Sequence, residues 1–210
     1  MEVRFDKAFQ GQFLDLLKWR RDVRHFRTDP VDEGLLAHCL DTIRLAPSVG
    51  LSEPWRLIRV NSPEPRAAAI ANFKDTNAKA LAGLAGDRAA LYSGLKLSGM
   101  QNAPVHLAVF SETGTEKGSH LGATTMPEMR DYSVVAAVTQ MWLMLRAHGL
   151  GLGWVSILDP ARLAADLGVT QDWKLIGYFC IGWPEEDSEE PELMRENWEA
   201  RSRTLEMEVL

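Results

Sequence analysis

The pentad Arg20-Arg21-Asp22-Val23-Arg24 places three guanidinium groups around one carboxylate. Alternate side chains of an extended segment point the same way, so Arg20, Asp22 and Arg24 are expected to share one side. Arginine presents a planar fork of donors that suits phosphate and carboxylate oxygens, and nearby positive charge is expected to keep Asp22 ionised. Taken alone, the pentad also fits a solvated cluster of surface ion pairs, the usual interpretation of a charge run.

Length and composition indicate one globular domain covering residues 1–210. The hydrophobic content of 46% and charged content of 25% are ordinary. A net charge of −6 argues against a nucleic-acid binder, so any phosphate site must be local. Cys39 and Cys180 lie in apolar runs and are expected to be buried thiols of a reducing compartment. No cysteine or histidine spacing indicates a metal site.

Targeting signals are not recognisable in this sequence. The first 13 residues lack the basic and apolar regions of a signal peptide. The most apolar run, 133–145, is too short to span a bilayer. We therefore expect a cytoplasmic protein.

Hydrophobic periodicity predicts alternating helices and strands, and hence a single α+β domain. A cap at Thr28-Asp29-Pro30 is expected to begin the helix that ends before Ala46-Pro47. The other predicted helices are 9–19, 64–82, 87–101, 128–148 as the longest, a short one from Asp159-Pro160, and a turn around Asn197. The predicted strands are 56–60, 104–110, 152–158 and 174–183.

Two further segments indicate a lid and a swapped tail. The polar stretch 111–127 contains three Gly and four Thr, and a loop this long is often a lid over a binding site. We place this lid at about 111–129. In the tail, apolar residues alternate with polar ones over 204–209, which suits an edge strand added to a partner's sheet. The region from about 190 to 210 is therefore expected to support a homodimer.

Several residues could carry chemistry. The glycines Gly149, Gly151 and Gly153 follow a helix and precede a strand, the reverse of the dinucleotide-binding order, so they are expected to let something flat approach the backbone. Ser156 is expected within the strand 152–158, where a serine is more often a hydrogen-bonded core residue than a catalytic group. His106 is expected to be structural, whereas His120 in the lid could reach a ligand.

Two motifs in order resemble the nitroreductase-like flavoproteins. The first is the pentad, and the second is the ten-residue segment APSVGLSEPW at 46–55. In that family an Arg-Arg-Ser-x-Arg segment binds the phosphate and ribityl chain of FMN, and an Ala-Pro-Ser segment ends in Gln-Pro-Trp. The resemblance covers residues 10 to 210. It implies a mainly antiparallel central sheet flanked by helices, with a C-terminal tail strand that reaches a partner subunit.

The departures from the family pattern are informative. Asp22 replaces the usual Ser, and Met126-Pro127-Glu128-Met129 and Gly153-Trp154-Val155-Ser156-Ile157 follow later. Together these features are similar to one subgroup, the 5,6-dimethylbenzimidazole synthases. That subgroup fragments reduced FMN with O2 into 5,6-dimethylbenzimidazole, the lower ligand of cobalamin, and erythrose 4-phosphate. Glu53 and Arg130-Asp131 depart from the pattern and alter the local polarity.

The resemblance implies a role for each site residue. Asp22 would be the acid/base, and Ser156 would hydrogen-bond the flavin edge or the oxygen. Gly153 would admit the isoalloxazine ring, while Trp55 and residues 94–98 would form apolar walls. The implied FMN-binding residues are Arg20, Arg21, Asp22, Val23, Arg24, Ser48, Leu95, Gly153 and Arg201, with Arg203 as the other candidate in the tail.

The same resemblance leaves three functions open. In the synthase, FMN is substrate, and a separate NAD(P)H flavin reductase supplies it in reduced form. One alternative is an NAD(P)H-dependent nitroreductase or dehalogenase-like enzyme that keeps its FMN. The other is a non-catalytic flavin-binding or storage protein.

Overall fold

An antiparallel sheet of four strands forms the centre of the computed structural model, which describes residues 4–95 and 98–210. The strands are β1 (Trp55–Arg59), β2 (Val105–Glu112), β3 (Gly151–Val155) and β4 (Trp173–Gly182). The helices are α1 (Lys7–Trp19), α2 (Glu33–Asp41), α3 (Pro63–Ala82), α4 (Gly86–Gly94), α5 (Gly99–Asn102), α6 (Met129–Ala147), α7 (Pro160–Asp166) and α8 (Glu192–Arg195). The predicted α+β class, with an antiparallel sheet between helices, is confirmed.

The strand order β1-β2-β4-β3 puts the two longest strands in the middle. β2 and β4 pair along their length, from Val105 opposite Ile181 to Glu112 opposite Trp173. Both are buried over most of that length because helices cover each face of the sheet. The outer strands β1 and β3 each pair with one neighbour.

Helix α6 forms the core on one face of the sheet. Val134, Ala137, Met141 and Leu145 are fully buried there, as expected for a helix that is apolar on most sides. The other face packs against a second cluster that includes Phe26, which follows the pentad. α6 has 19 residues and α3 has 20, so the prediction that α6 is the longest helix is wrong for the described elements.

Three predicted boundaries are wrong for local reasons. Asp32 caps α2 by accepting the Leu35 N–H at 2.8 Å, so the helix begins after this residue and not at Asp29. The predicted helix 87–101 is two helices, α4 and α5, and residues 96–97 between them lie outside the described residues. β3 ends at Val155, which leaves Ser156 outside the strand.

Other expectations concern buried side chains and the membrane. Cys39 and Cys180 are buried free thiols, as predicted. His106 is buried with its Nδ1 2.8 Å from the Tyr178 hydroxyl, and burial lowers the pKa of this histidine to about 3. It is therefore a neutral structural residue. Among the described helices, none has both the length and the apolar character needed to cross a membrane.

The pentad runs alongside β3, in parallel orientation. Asp22 forms a bridge with Leu152, and the Val23 N–H donates to the Leu152 carbonyl at 3.0 Å. A Cβ on Gly151 would lie 2.7 Å from a Val23 methyl group, and a Cβ on Gly153 would collide with the Val23 carbonyl oxygen. The two glycines are therefore required by the close approach of the pentad.

We expect Gly153→Ala to lower the free energy of unfolding by about 2 kcal/mol or more, because the new methyl group must displace the pentad from β3. Urea unfolding followed by circular dichroism measures the change. Gly11→Ala is the control, since a Cβ there meets nothing within 4 Å, and alanine in a helix interior is expected to be neutral or stabilising. A Gly153→Ala protein as stable as the wild type would contradict this account of the glycine.

Candidate functional site

The carboxylate of Asp22 is held at the junction of the pentad and β3. Its Oδ1 accepts the backbone N–H of Trp154 at 2.8 Å, and its Oδ2 lies 3.8 Å from Nε of Arg24. The Asp22 side chain is partly buried, and 42% of its surface stays accessible. Burial raises the pKa of Asp22, and the Trp154 N–H, Arg24 and Arg20 only partly oppose this effect. Desolvation is therefore a larger influence on the pKa of Asp22 than the neighbouring arginines on which the sequence-based expectation relied.

Asp22 opens on a cavity of about 540 Å³, a size typical of cofactor sites. Aromatic side chains form much of its wall, namely Phe73, Tyr92, Trp154 and Trp198. Polar groups and further wall residues are Arg24, Asn77, Ser93, Leu95, Ser98, Gln101, Ser156 and Leu193. We call this space the Asp22 cavity. Of the predicted site residues, it brings together Asp22, Arg24, Leu95 and Ser156.

Ser156 differs from the buried strand residue that the sequence indicated. It follows the end of β3 and is exposed, and its position lines the Asp22 cavity. Ser156 and Asp22 therefore line the same space. A serine and a carboxyl group in one aromatic-walled cavity can bind a flat ligand and exchange protons with it.

Three guanidinium groups gather beside this cavity. Arg20 stacks over the Trp142 ring at 4.4 Å, and Arg21 donates through Nε to the Glu189 carbonyl at 2.6 Å. Burial lowers the pKa of both arginines, and repulsion from Arg201 adds to the lowering. An anion placed among these groups would relieve that repulsion. The cluster therefore fits a phosphate group, with Arg201 as a contributor from the tail.

Other predicted site residues lie elsewhere. Ser48 Oγ accepts the Glu53 N–H at 3.1 Å in its own turn, and Trp55 packs against the core on the α6 side. Neither is among the described residues that line the Asp22 cavity. Gly153 faces the Val23 carbonyl, so the space in which a Cβ would lie is filled by the pentad. Val23 itself packs against Gly151.

The predicted lid also lies away from the cavity. Residues 113–128 form consecutive turns that pack against the segment around Gly50, and Lys117 pairs with Glu53. His120 already has partners: its Nδ1 lies 2.7 Å from Nη2 of Arg130 in α6, and its Nε2 lies 3.0 Å from Glu116 in the loop. Within the described chain, α4, Leu95, Ser98 and the segment around Trp198 wall the cavity instead.

Part of the cavity wall was not predicted from the sequence. Tyr92 donates its hydroxyl proton to Asn77 Oδ1 at 2.7 Å, and both residues line the cavity. Nothing in the Ala-rich segment around them marks a site. Trp198 was a signal that could have been used, because a lone tryptophan stands there in a polar, acidic stretch. Of the wall segment predicted at 94–98, residues 96 and 97 lie outside the described residues.

The site fits FMN in two respects that do not depend on the resemblance. The arginine cluster supplies an anion site on a protein with a net charge of −6. Next to it, the aromatic walls of the Asp22 cavity suit a flat, conjugated ring. A phosphorylated ligand with an aromatic ring meets both requirements.

Comparisons with known proteins agree with this geometry. The model of the nitroreductase family matches residues 17–183. A protein of Rhodospirillum rubrum, named 5,6-dimethylbenzimidazole synthase, is 48% identical over 197 residues, covering 94% of this chain and 93% of the relative. A Rhodobacter capsulatus protein of the same name is 41% identical over 94% of this chain and 95% of its own.

A solved structure supports the fold. Oxidized iodotyrosine deiodinase bound to FMN and 3-iodo-L-tyrosine superposes with a TM-score of 0.76, covering 94% of this chain and 99% of that one at 19% identity. The predicted resemblance is confirmed, as is the prediction of an oxidoreductase enzyme. On the family match and these relatives, the chain belongs to the nitroreductase family.

Proposed function

We propose that this chain is a 5,6-dimethylbenzimidazole synthase. It consumes reduced FMN and O2 and releases 5,6-dimethylbenzimidazole and erythrose 4-phosphate, and the pyrimidine part of the flavin ring leaves as a separate oxidised fragment. The observation that carries the proposal is the Asp22 carboxylate, which opens with Ser156 on one aromatic-walled cavity beside an arginine cluster. The names of the relatives at 48% and 41% identity support it.

The arginine cluster would bind the phosphate. Arg20, Arg21 and Arg201 would each donate charge-assisted hydrogen bonds, worth about 1.5–3 kcal/mol where they are sheltered. Arg20 is already fixed by its stacking on Trp142, so little side-chain freedom is lost on binding. Reduced FMN would supply both the electrons for O2 and the carbon atoms of the product.

Asp22 would move the proton. Its Oδ1 is occupied by the Trp154 N–H, which orients the carboxylate and leaves Oδ2 as the basic atom. The raised pKa of this carboxyl makes it a better proton acceptor than an ordinary aspartate, and a serine at this position could not accept a proton easily. We assign Asp22 the removal of a proton from the ribityl carbon next to the ring.

Ser156 and the aromatic walls would control the surroundings of the reaction. The Ser156 hydroxyl can donate to an oxygen or nitrogen at the ring edge. Trp154 and Tyr92 would keep water from the ring, which strengthens the hydrogen bonds inside the cavity.

Two partners are proposed, one from the need for reduced FMN and the other from exposed apolar side chains. Because FMN is consumed, each turnover needs another reduced FMN, which a separate cytoplasmic NAD(P)H flavin reductase would deliver. A homodimer is supported by the exposed Phe9 and Phe13 of α1 and the exposed apolar residues of the tail. The outer edge of β1, which pairs with β2 alone among the described strands, is where a partner's tail would add.

We expect purified protein, incubated aerobically with reduced FMN, to form 5,6-dimethylbenzimidazole detectable by chromatography. Asp22→Asn should lower the rate by about 10²–10⁴-fold, because the proton acceptor is lost, while FMN binding is retained. Asp29→Asn is the control, since Asp29 is exposed and pairs with Arg27 outside the cavity.

The outcomes separate the three functions. Intact FMN as the sole product would contradict the synthase. Rapid NAD(P)H oxidation with nitroaromatics, tolerant of Asp22→Ser, would indicate a nitroreductase. Tight binding with the same products as free flavin would indicate a flavin-binding protein.

The pH profile tests the base directly. Because Asp22 must be deprotonated to accept a proton, kcat/KM is expected to rise with pH through a midpoint above the usual aspartate range. Arg24 lowers the pKa of Asp22, so Arg24→Gln is expected to move this midpoint to higher pH. A midpoint that stays in place or moves to lower pH would remove Asp22 as the base.

The tail arginine is tested with two ligands. Arg201→Gln is expected to weaken FMN binding about tenfold, because one charge-assisted hydrogen bond is lost, and to leave riboflavin binding unchanged because riboflavin has no phosphate. Arg203→Gln serves as the matched control. Equal losses for both ligands, or a larger effect of Arg203→Gln, would contradict the assignment. Flavin fluorescence gives both affinities.

A further inference from the structure

One side chain of α4, Arg88, holds Trp198 in place. Its Nη1 donates to the Trp198 carbonyl at 2.7 Å, across 110 residues of sequence. The guanidinium carbon lies 4.6 Å from the centroid of the Trp198 ring, a cation–π distance. A second guanidinium nitrogen is 3.8 Å from the Glu199 carboxylate. One arginine therefore fixes both the main chain and the ring of Trp198.

The same tryptophan meets the aromatic wall of the Asp22 cavity. The rings of Tyr92 and Trp198 lie 6.2 Å apart with a tilt of 57°. The hydroxyl of Tyr92 is bonded to Asn77, and all three residues line the cavity with Asp22 and Ser156. Trp198 thus belongs to the wall that faces the reacting groups.

The segment that carries Trp198 is anchored at its other end to the pentad. Arg21 donates to the Glu189 carbonyl at 2.6 Å, and His25 Nε2 lies 3.5 Å from Glu192. The segment therefore crosses from the pentad to α4 over one side of the cavity. It also follows the part of the chain that matches the family, residues 17–183, so the general family pattern does not account for this wall.

We propose that Trp198 is a ligand-binding wall of the site, which packs against a flat aromatic ring, and that Arg88 is its positioning residue. The identity of the ligand rests on the proposed function, under which the aromatic ring is that of reduced FMN. A half-buried indole beside Tyr92 gains contact area when such a ring enters. Arg88 holds the indole in its binding position beforehand, so little freedom is lost on binding.

The test is the affinity for anaerobically reduced FMN and for riboflavin, measured from the flavin signal because the chain has seven tryptophans. Trp198→Ala is expected to weaken both ligands about tenfold, since the wall touches the ring and not the phosphate. Trp198→Phe should restore the affinity to within about threefold, because a flat ring is kept. The affinity of Arg88→Ala should lie between those of Trp198→Ala and Trp198→Phe, and flavin should leave this variant faster than the wild type.

Glu199→Gln is the matched control, because it removes the carboxylate but keeps the contacts of Arg88 with the Trp198 carbonyl and ring. Its affinity should equal that of the wild type. Thermal unfolding of every variant reports whether it is folded. If Trp198→Ala lowers stability but binds both flavins like the wild type, Trp198 only fastens the C-terminal segment and the inference is overturned.

The two proposals fail in different ways. A wild-type protein that binds no flavin would overturn both. A wild-type protein that binds flavin through Trp198 but forms no 5,6-dimethylbenzimidazole would overturn the proposed synthase function and leave the proposed role of Trp198 standing. If the wild type forms 5,6-dimethylbenzimidazole and a folded Trp198→Ala protein binds both flavins with full affinity, only the proposed role of Trp198 is overturned.

Discussion

The close contact between the pentad and β3 determines the rest of the site. Gly151 and Gly153 leave room for Val23, and the Val23 N–H bonds to the Leu152 carbonyl. This contact covers part of the outer edge of β3, which would otherwise be open to another strand. It also brings the Asp22 carboxylate onto the Trp154 N–H. The acid is therefore fixed by main-chain geometry, and its position does not depend on the mobile ends of other side chains.

The pKa of Asp22 is shifted more by burial than by the charged neighbours of this residue. Arg20 and Arg24 act to lower the pKa of this carboxyl, yet desolvation exceeds their effect and the pKa is raised. Arg20 is itself partly removed from water on the Trp142 ring, and its own pKa is lowered. Charge proximity can be read from a sequence, whereas burial cannot, so the sequence alone did not indicate the raised pKa of Asp22.

The sequence predicted the elements well and the site only in part. Strands and helices followed from periodicity, because each buries one face against the sheet. The wrong boundaries arose where two residues close in sequence could serve as the same helix cap. Asp32, for example, caps α2 in place of Asp29. Motif order indicated the family but not the cavity, since Ser48 and Trp55 follow the pentad in sequence yet lie outside the Asp22 cavity. The contact of Arg88 with Trp198 spans 110 residues and has no sequence pattern.

The cavity has two kinds of wall, and they differ in how they are held. Asp22 and Trp154 belong to the sheet and its docked pentad, where hydrogen bonds of the main chain fix them. The opposite wall, from α4 and the segment around Trp198, is held by partly exposed side chains such as Arg88. Regions held by few exposed contacts open at lower free energy than a sheet does. In the proposed synthase, which would consume its flavin, a new one must enter at each turnover, and this division would let one wall open while the carboxylate stays in place.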